Sequence, residues 1–285
     1  MLRGFRTIRV QMLSLFCIML LAILSVSAIA NAFIARQMQR SVESTTQQLM
    51  NKSLQSMESY FRDIKRIGTA LAYNNVMQQL LNMESLSERI AAVDTIDDAR
   101  SVLINTSTLK DSIVGIQLLD TKGRAVVDNA NQVLNVDYEA TIHNIPSEIS
   151  FSDVYFGTTN PIWSYLRPPF FYMYLPVYSL TPVLRREVIG LLTMTLNLKD
   201  LSAILTDIQP SKRSVFMLLD NRDTVISCTD AGRVGNVMSK DDAHVLDDSY
   251  AIEEQSIPIV GWRLRAEVFK PDITASLSQM KLLIA

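Results

Sequence analysis

The hydrophobic pattern divides the chain into three regimes. From Val10 to Ala35 no residue is charged. At 1.5 Å of rise per residue, such a run crosses a ~30 Å hydrocarbon core with some tilt. From about Arg36 to Asn82 there is no proline and one glycine, Gly68. Apolar side chains recur there at Met50, Leu54, Met57, Phe61, Ile64 and Leu71, with Gly68 inside the same stripe. Steps of three and four are the period of a helix face and, over three heptads, the shortest pattern that supports a coiled coil. Polar residues such as Gln47, Gln48, Lys52, Glu58 and Arg62 occupy the other faces. The pattern predicts a spine helix of residues 36–84. Its stripe (Met50, Leu54, Met57, Phe61, Ile64) serves either a homodimer contact or the helix's own domain. A second helical stretch follows from Leu86 to Leu109, with Ile90, Val93, Ile96 and Leu103 as its buried side and Asp94 or Thr95 as a cap.

Beyond residue 110 the period shortens to that of strands, and one unit occurs twice. Ile116-Gln117-Leu118-Leu119-Asp120 is followed by a polar turn through Gly123 and by Ala125-Val126-Val127. Phe216-Met217-Leu218-Leu219-Asp220 is followed by a turn through Asp223 and by Val225-Ile226-Ser227. Each reads as a buried strand, an aspartate that accepts turn amides, and a return strand. Each is followed by a hairpin, Phe170–Tyr178 with Val188–Leu196 and Tyr250–Ser256 with Gly261–Phe269. Each set leaves through a similar signal, Leu198-Lys199-Asp200-Leu201 and Phe269-Lys270-Pro271-Asp272-Ile273, where Pro271 suits a first helical turn. The repeat predicts an α+β chain with two tandem modules on antiparallel sheets, at 85–205 and 206–275.

Charge supplies the orientation. Arg3, Arg6 and Arg9 precede the apolar run, which places residues 1–9 in the cytoplasm, 10–35 in the membrane and the rest outside. The alternative is a cleaved secretory signal with Ala28-Ile29-Ala30 as its site, but Phe33-Ile34-Ala35 carries the apolar run past it. Lys281-Leu282-Leu283-Ile284 reads as the opening of a second span, at 276–285. The 285 residues carry 27 basic and 29 acidic side chains. Arg3, Arg6, Arg9 and Lys281 lie at the ends, so the body between is acidic and has no electrostatic footprint for nucleic acid. Of the two cysteines, Cys17 lies in the apolar run, which leaves Cys228 without an internal partner.

Candidate chemistry is sparse. His143 and His244 stand far apart without metal spacing, and no HExxH, GxSxG or GxxxxGK[ST] pattern occurs. We therefore expect neither a cofactor nor catalysis from this region. Asn51-Lys52-Ser53 and Asn105-Thr106-Ser107 match the glycosylation sequon, a triplet that arises by chance. One dense constellation remains, between Tyr155 and Tyr178. Tyr155, Trp163, Tyr165, Tyr172 and Tyr174 combine ring faces with polar tips, and Arg167 can clamp a carboxylate. The bland reading is that these rings are core and rim of the first module. As a cluster they suit a pocket for a small polar organic ligand, sugar-type or carboxylate.

The order of these features resembles the double Cache (dCache) sensors. It comprises an apolar span, a long helix, a strand-Leu-Leu-Asp-turn unit, an aromatic strand, Val188-Ile189-Gly190-Leu191-Leu192-Thr193-Met194-Thr195-Leu196, a second Leu-Leu-Asp unit and Gly261-Trp262-Arg263-Leu264. The resemblance covers about residues 36–275. It implies two PAS-like modules on one helix, with the ligand in the membrane-distal module at the aromatic strand and the loop before it. The arginine-rich start resembles sensor histidine kinases. That implies a homodimer, a cytoplasmic kinase domain in cis and a response regulator as partners. The same sensor also serves chemotaxis receptors, diguanylate cyclases and membrane-bound regulators, and a secreted binding protein is the reading from another class. Members that bind amino acids follow the arginine with an aromatic residue and a later aspartate. Here Pro168-Pro169 follow Arg167, and no aspartate lies between Asp153 and Asp200. Asp223 stands where many members carry a turn glycine.

Overall fold

A computed structural model describes residues 2–83, 88, 91–129, 154–157, 170–180, 187–238 and 249–273. The predicted span and the spine as far as Ala72 form one unbroken helix, α1 (Leu2–Ala72), of 71 residues, and the spine expected to reach residue 84 breaks at Tyr73-Asn74. No proline interrupts the helix, and its length is about 105 Å. Among the described residues it is the one helix long and apolar enough to cross a membrane. Leu21, Ile29 and Phe33 stand fully out from it. From Val42 onward its apolar stripe turns inward. Two short helices follow, α2 (Asn75–Leu81), capped by Asn74 Oδ1 accepting from the Val76 amide, and α3 (Val93–Ser107).

Helix α3 departs from expectation at its start. Ala92 is its cap and supplies no side-chain bond, while Asp94 lies inside the first turn. Val93 is exposed, and Ala99 and Leu103 are the buried positions.

The strands form two antiparallel sheets. The first contains β1 (Ile113–Asp120), β2 (Ala125–Asp128), β3 (Tyr155–Gly157), β4 (Phe170–Tyr178) and β5 (Val188–Asn197), in the order β2-β1-β5-β4-β3. After helix α4 (Lys199–Asp207), the second contains β6 (Val215–Leu219), β7 (Val225–Cys228), β8 (Tyr250–Ile257) and β9 (Trp262–Phe269), in the order β7-β6-β9-β8. The internal repeat is structural. The β1–β2 and β6–β7 hairpins shift register at the same place, Leu118/Leu119 and Leu218/Leu219. Asp120 Oδ1 accepts from the amides of Lys122 and Arg124, and Asp220 Oδ1 from those of Arg222 and Thr224. Gly123 and Asp223 both have positive φ, 77° and 62°. The turn therefore keeps its left-handed residue where glycine is replaced, and aspartate is among the few side chains that tolerate it.

Each sheet lays one face on α1. Met50, Met57, Phe61 and Ile64 are 0% exposed within the single chain, and Leu54 packs beside them. The stripe thus packs the helix onto its own sheets. Its period is the same in both cases, because a helix on a sheet and a helix on a helix bury the same face. The polar side of α1, with Gln47, Gln48, Lys52 and Gln55, is the one left exposed. At Gly68 the helix lies so close to the first sheet that an added methyl would overlap the Met173 Cε and lie 3.5 Å from its Sδ.

About three turns before the C-terminal end of α1 the two sheets meet. The Phe61 ring centre is 5.1 Å from Phe156, 6.0 Å from Phe171 and 5.4 Å from Trp262, and Phe171 lies 5.6 Å from Trp262. The Phe61 contacts and the Phe171–Trp262 pair are edge-on, the favoured aromatic geometry. These rings join β3 and β4 of the first sheet, the helix, and β9 of the second.

Candidate ligand site on the first sheet

Side chains alternate across a strand, so the face of the first sheet opposite α1 carries Gln117, Leu119, Tyr155, Tyr172, Tyr174, Leu191, Thr193 and Thr195. Register arranges them in rows. Thr193 lies opposite both Gln117 and Tyr174, and Tyr174 lies opposite Tyr155. Thr195 lies opposite Tyr172, and Tyr172 opposite Gly157. Leu119 and Leu191 form the apolar end. The Tyr155 and Tyr174 rings stack at 5.9 Å and 26°, and Tyr172 leans on Tyr174 at 6.3 Å.

The polar part of this face is buried. Gln117, Tyr172, Tyr174, Thr193 and Thr195 are between 5% and 8% exposed. Thr193 Oγ1 donates to Gln117 Oε1 at 3.3 Å. The hydroxyls of Tyr155, Tyr172, Tyr174 and Thr195 donate to no partner among the described residues. Burial pushes the Tyr172 hydroxyl up to about 12 and that of Tyr174 higher still. Burial also raises Tyr155, with Arg222 opposing and Asp220 adding to the rise. All three phenols thus stay neutral and act as donors and acceptors throughout the physiological range. Asp220 and Arg222 belong to the β6–β7 turn, so the edge of the first sheet is an electrostatic neighbour of the second.

Three of the six residues singled out in the sequence meet here: Tyr155, Tyr172 and Tyr174. Trp163, Tyr165 and Arg167 lie outside the described residues. Gln117, Thr193 and Thr195 escaped sequence reasoning, although the signal was present. In Leu191-Leu192-Thr193-Met194-Thr195-Leu196, hydroxyls alternate with apolar residues, the mark of a strand with one polar face. Among the described residues no group of three or more His, Cys, Asp or Glu could hold a metal ion.

The second sheet fills the corresponding face differently. Arg265 lies opposite Met217, and Glu267 opposite Val215. The Glu267 carboxylate, 1% exposed, accepts from Arg265 Nε at 3.1 Å and from Arg233 at 2.8 Å. Arg263 pairs with Asp223 and with Glu254.

The two-sheet arrangement on one long helix is found in solved sensor domains. The sensor domain of the Vibrio cholerae histidine kinase DctB superposes with a TM-score of 0.56 at 12% identity, covering 80% of this chain and 97% of that one. The chain has the double Cache sensor fold. The extracellular domain of the putative histidine kinase vpHK1S-Z8 gives 0.55 at 13% identity, covering 84% and 96%. The ligand-binding domain of the Pseudomonas aeruginosa amino-acid chemoreceptor PctB, in complex with L-Arg, gives 0.54 at 12% identity, covering 81% and 97%. No protein-family model and no curated protein matches the sequence.

Proposed function

We propose that this double Cache region is the extracytoplasmic input of a transmembrane receptor. It takes a small polar organic ligand on the outer face of the first sheet and passes the event to a cytoplasmic histidine kinase. The observation that carries the reading is the row of Tyr155, Tyr172, Tyr174 and Thr195 on one face of the sheet, with rings stacked beside hydroxyls that donate to no partner among the described residues. Rings stacked beside hydroxyls suit a ligand with both C–H faces and polar edges. The proposed module limits, 85–205 and 206–275, place this face in the membrane-distal module. Trp163, Tyr165 and Arg167, in the segment between β3 and β4, complete the site in this reading, with Arg167 holding a carboxylate where the ligand carries one.

The ring junction supports a route for the signal. On β3, Tyr155 faces the site and Phe156 faces the junction; on β4, Tyr172 and Phe171 do the same. A ligand that shifts the tyrosines shifts the rings behind them, which press on Trp262 at the head of β9. That strand runs about 24 Å to Phe269 and the turn 270–273. Differential affinity for two seatings of this junction is all a ligand needs to move the exit relative to α1.

The test is a thermal-stability screen of residues 36–276 against sugars, carboxylates and amino acids, since a ligand of the folded state raises its melting point by mass action. A hit whose gain disappears in Tyr174→Phe or Arg167→Ala supports the site. A gain unaffected by both variants removes it. Phe156→Leu should leave the gain in place and weaken the response of the intact receptor. An unweakened response would break the route while leaving the site standing.

A further inference from the structure

The segment that joins the two sheets also holds the far end of the second. Strand β5 carries Thr193 and Thr195 on the candidate face and passes through Asn197 into α4, whose Leu201 and Leu205 are 0% exposed. The chain leaves α4 at Ile208 and closes a turn over 209–214. Gln209 Nε2 donates to the Ser214 carbonyl at 2.6 Å, and the Ser214 amide donates to the Ser211 carbonyl at 3.1 Å. Two adjacent residues of this turn then reach across to the end of β9. The Phe269 amide donates to the buried Ser214 Oγ at 3.2 Å. Arg213 Nη2 donates to Asp272 Oδ1 at 2.6 Å, and the guanidinium lies 4.3 Å over the Phe269 ring. A backbone amide, a ring and a carboxylate of 269–272 are thus gripped by two neighbouring side chains.

A hydrogen bond past the end of a ladder is ordinary, and an ion pair whose arginine is 64% exposed contributes little by itself. The pair is nevertheless more than the fold requires. The first sheet ends in the same sequence signal, and its exit forms without one. Asp200, the counterpart of Asp272, makes no ion pair among the described residues, and α4 starts there all the same. In the second module Arg213 supplies both the charge on Asp272 and the cover on Phe269. It does so from a position six residues after Asp207, the last residue of α4. A short turn closed by its own hydrogen bonds transmits a displacement better than a slack linker.

We propose that Arg213 is a positioning residue for the exit of the sensor: it latches the 269–272 turn to the segment leaving the first module, so that the turn follows α4. The inference rests on the reading of the first sheet as the input and of 270–273 as the exit. It adds to the ring junction at Trp262 a second route, along the chain itself. That route runs from Thr193 and Thr195 through β5 and α4 to Arg213. A displacement of α4 then reaches the exit even where the rings stay in place.

The full chain is placed in phosphatidylcholine nanodiscs, and amide exchange is followed by segment without ligand. Arg213→Gln speeds exchange over 269–273 by roughly threefold to tenfold, the worth of an exposed ion pair and a cation–ring contact together. Exchange in β1 and β4 stays at the parent rate, which shows that the variant folds. The swapped pair Arg213→Asp with Asp272→Arg recovers part of the loss, as an ion pair does and a merely disturbed turn does not. Coupling is read from Leu205→Val, or Leu205→Ala where valine leaves α4 itself undisturbed. Alone, it speeds exchange at 269–273. Beside Arg213→Gln it adds less than roughly twofold there, while its effect within α4 persists. An equal effect of the Leu205 variant in both backgrounds overturns the latch, as does parent-rate exchange in Arg213→Gln. The thermal screen reports on the input face separately. A ligand whose gain disappears in Tyr174→Phe, together with additive exchange, overturns the latch and leaves the input reading in place.

Discussion

The outer faces of the two sheets occupy equivalent places in the repeat and do opposite things with their polar groups. Register makes Thr193 of β5 the counterpart of Arg265 in β9, and Thr195 the counterpart of Glu267. On the cross-strand neighbour, Tyr172 and Tyr174 stand where the second sheet has Ile252 and Glu254. The second face is ionic, since Glu267 takes both Arg265 and Arg233, and Arg263 takes Asp223 and Glu254, although Arg265 Nη2 is buried without a hydrogen bond. The first is neutral and leaves a row of hydroxyls without partners among the described residues. Charges that neutralise one another need no ligand. The same scaffold thus carries an ion-paired face on one sheet and a neutral hydroxyl face on the other.

If the second face is a strut, cutting it costs most. Glu267→Ala leaves the Arg265 guanidinium, 7% exposed, without its carboxylate. Removing one partner of a buried pair typically costs about 3–5 kcal/mol. Urea denaturation of residues 36–276 should show a loss of that size. The double change Arg265→Met with Glu267→Leu should recover most of it, because an apolar pair leaves nothing unpaired. A Glu267→Ala loss below about 1 kcal/mol would mean that the cluster is solvated and that the comparison fails on this side.

Alkaline pH reaches the first face through Tyr172. The Tyr172 hydroxyl rises from 10.0 to about 12 on folding because burial disfavours the phenolate. The unfolded chain therefore releases this proton at a lower pH than the folded one. The contribution is complete below about pH 10 and is lost as pH climbs towards 12. A stability profile across that window should slope downward, and Tyr172→Phe should flatten it. An unchanged slope in the variant would place Tyr172 in solvent.

Much of this was legible in the chain because it rests on local rules. The two Leu-Leu-Asp units declared the hairpins, since an aspartate at that position closes the turn by accepting amides two and four residues on. The unbroken apolar stripe declared α1. Its partner was not legible, because Met50, Met57, Phe61 and Ile64 present the same period to a sheet as to a second helix. Tyr155, Tyr172 and Tyr174 were found by density of aromatics. Gln117, Thr193 and Thr195 were missed because their meaning is set by cross-strand register, which joins positions 76 residues apart. The junction at Trp262 is likewise a product of packing, for Phe61, Phe156 and Phe171 reach it from three separate elements.

The smallest effect on stability is the sharpest test of the hydroxyl face. Thr195→Val and Tyr174→Phe each delete one hydroxyl and keep the shape of the side chain. In a packed core with every bond made, such a deletion costs about 1 kcal/mol, the net worth of a hydrogen bond. On the first face, Thr195 and Tyr174 donate to no partner among the described residues, so the deletion loses no bond within the protein. Without ligand, both variants should therefore unfold within about 0.5 kcal/mol of the parent, or slightly later. With a ligand found by the thermal screen, each should bind more weakly by roughly fivefold to tenfold, the equivalent of one lost bond. The paired readout separates the two meanings of a buried hydroxyl. A structural one lowers the unliganded midpoint and leaves binding alone, whereas a receiving one does the reverse. Loss of about 1 kcal/mol without ligand in both variants would make the outer face of the first sheet a strut like that of the second.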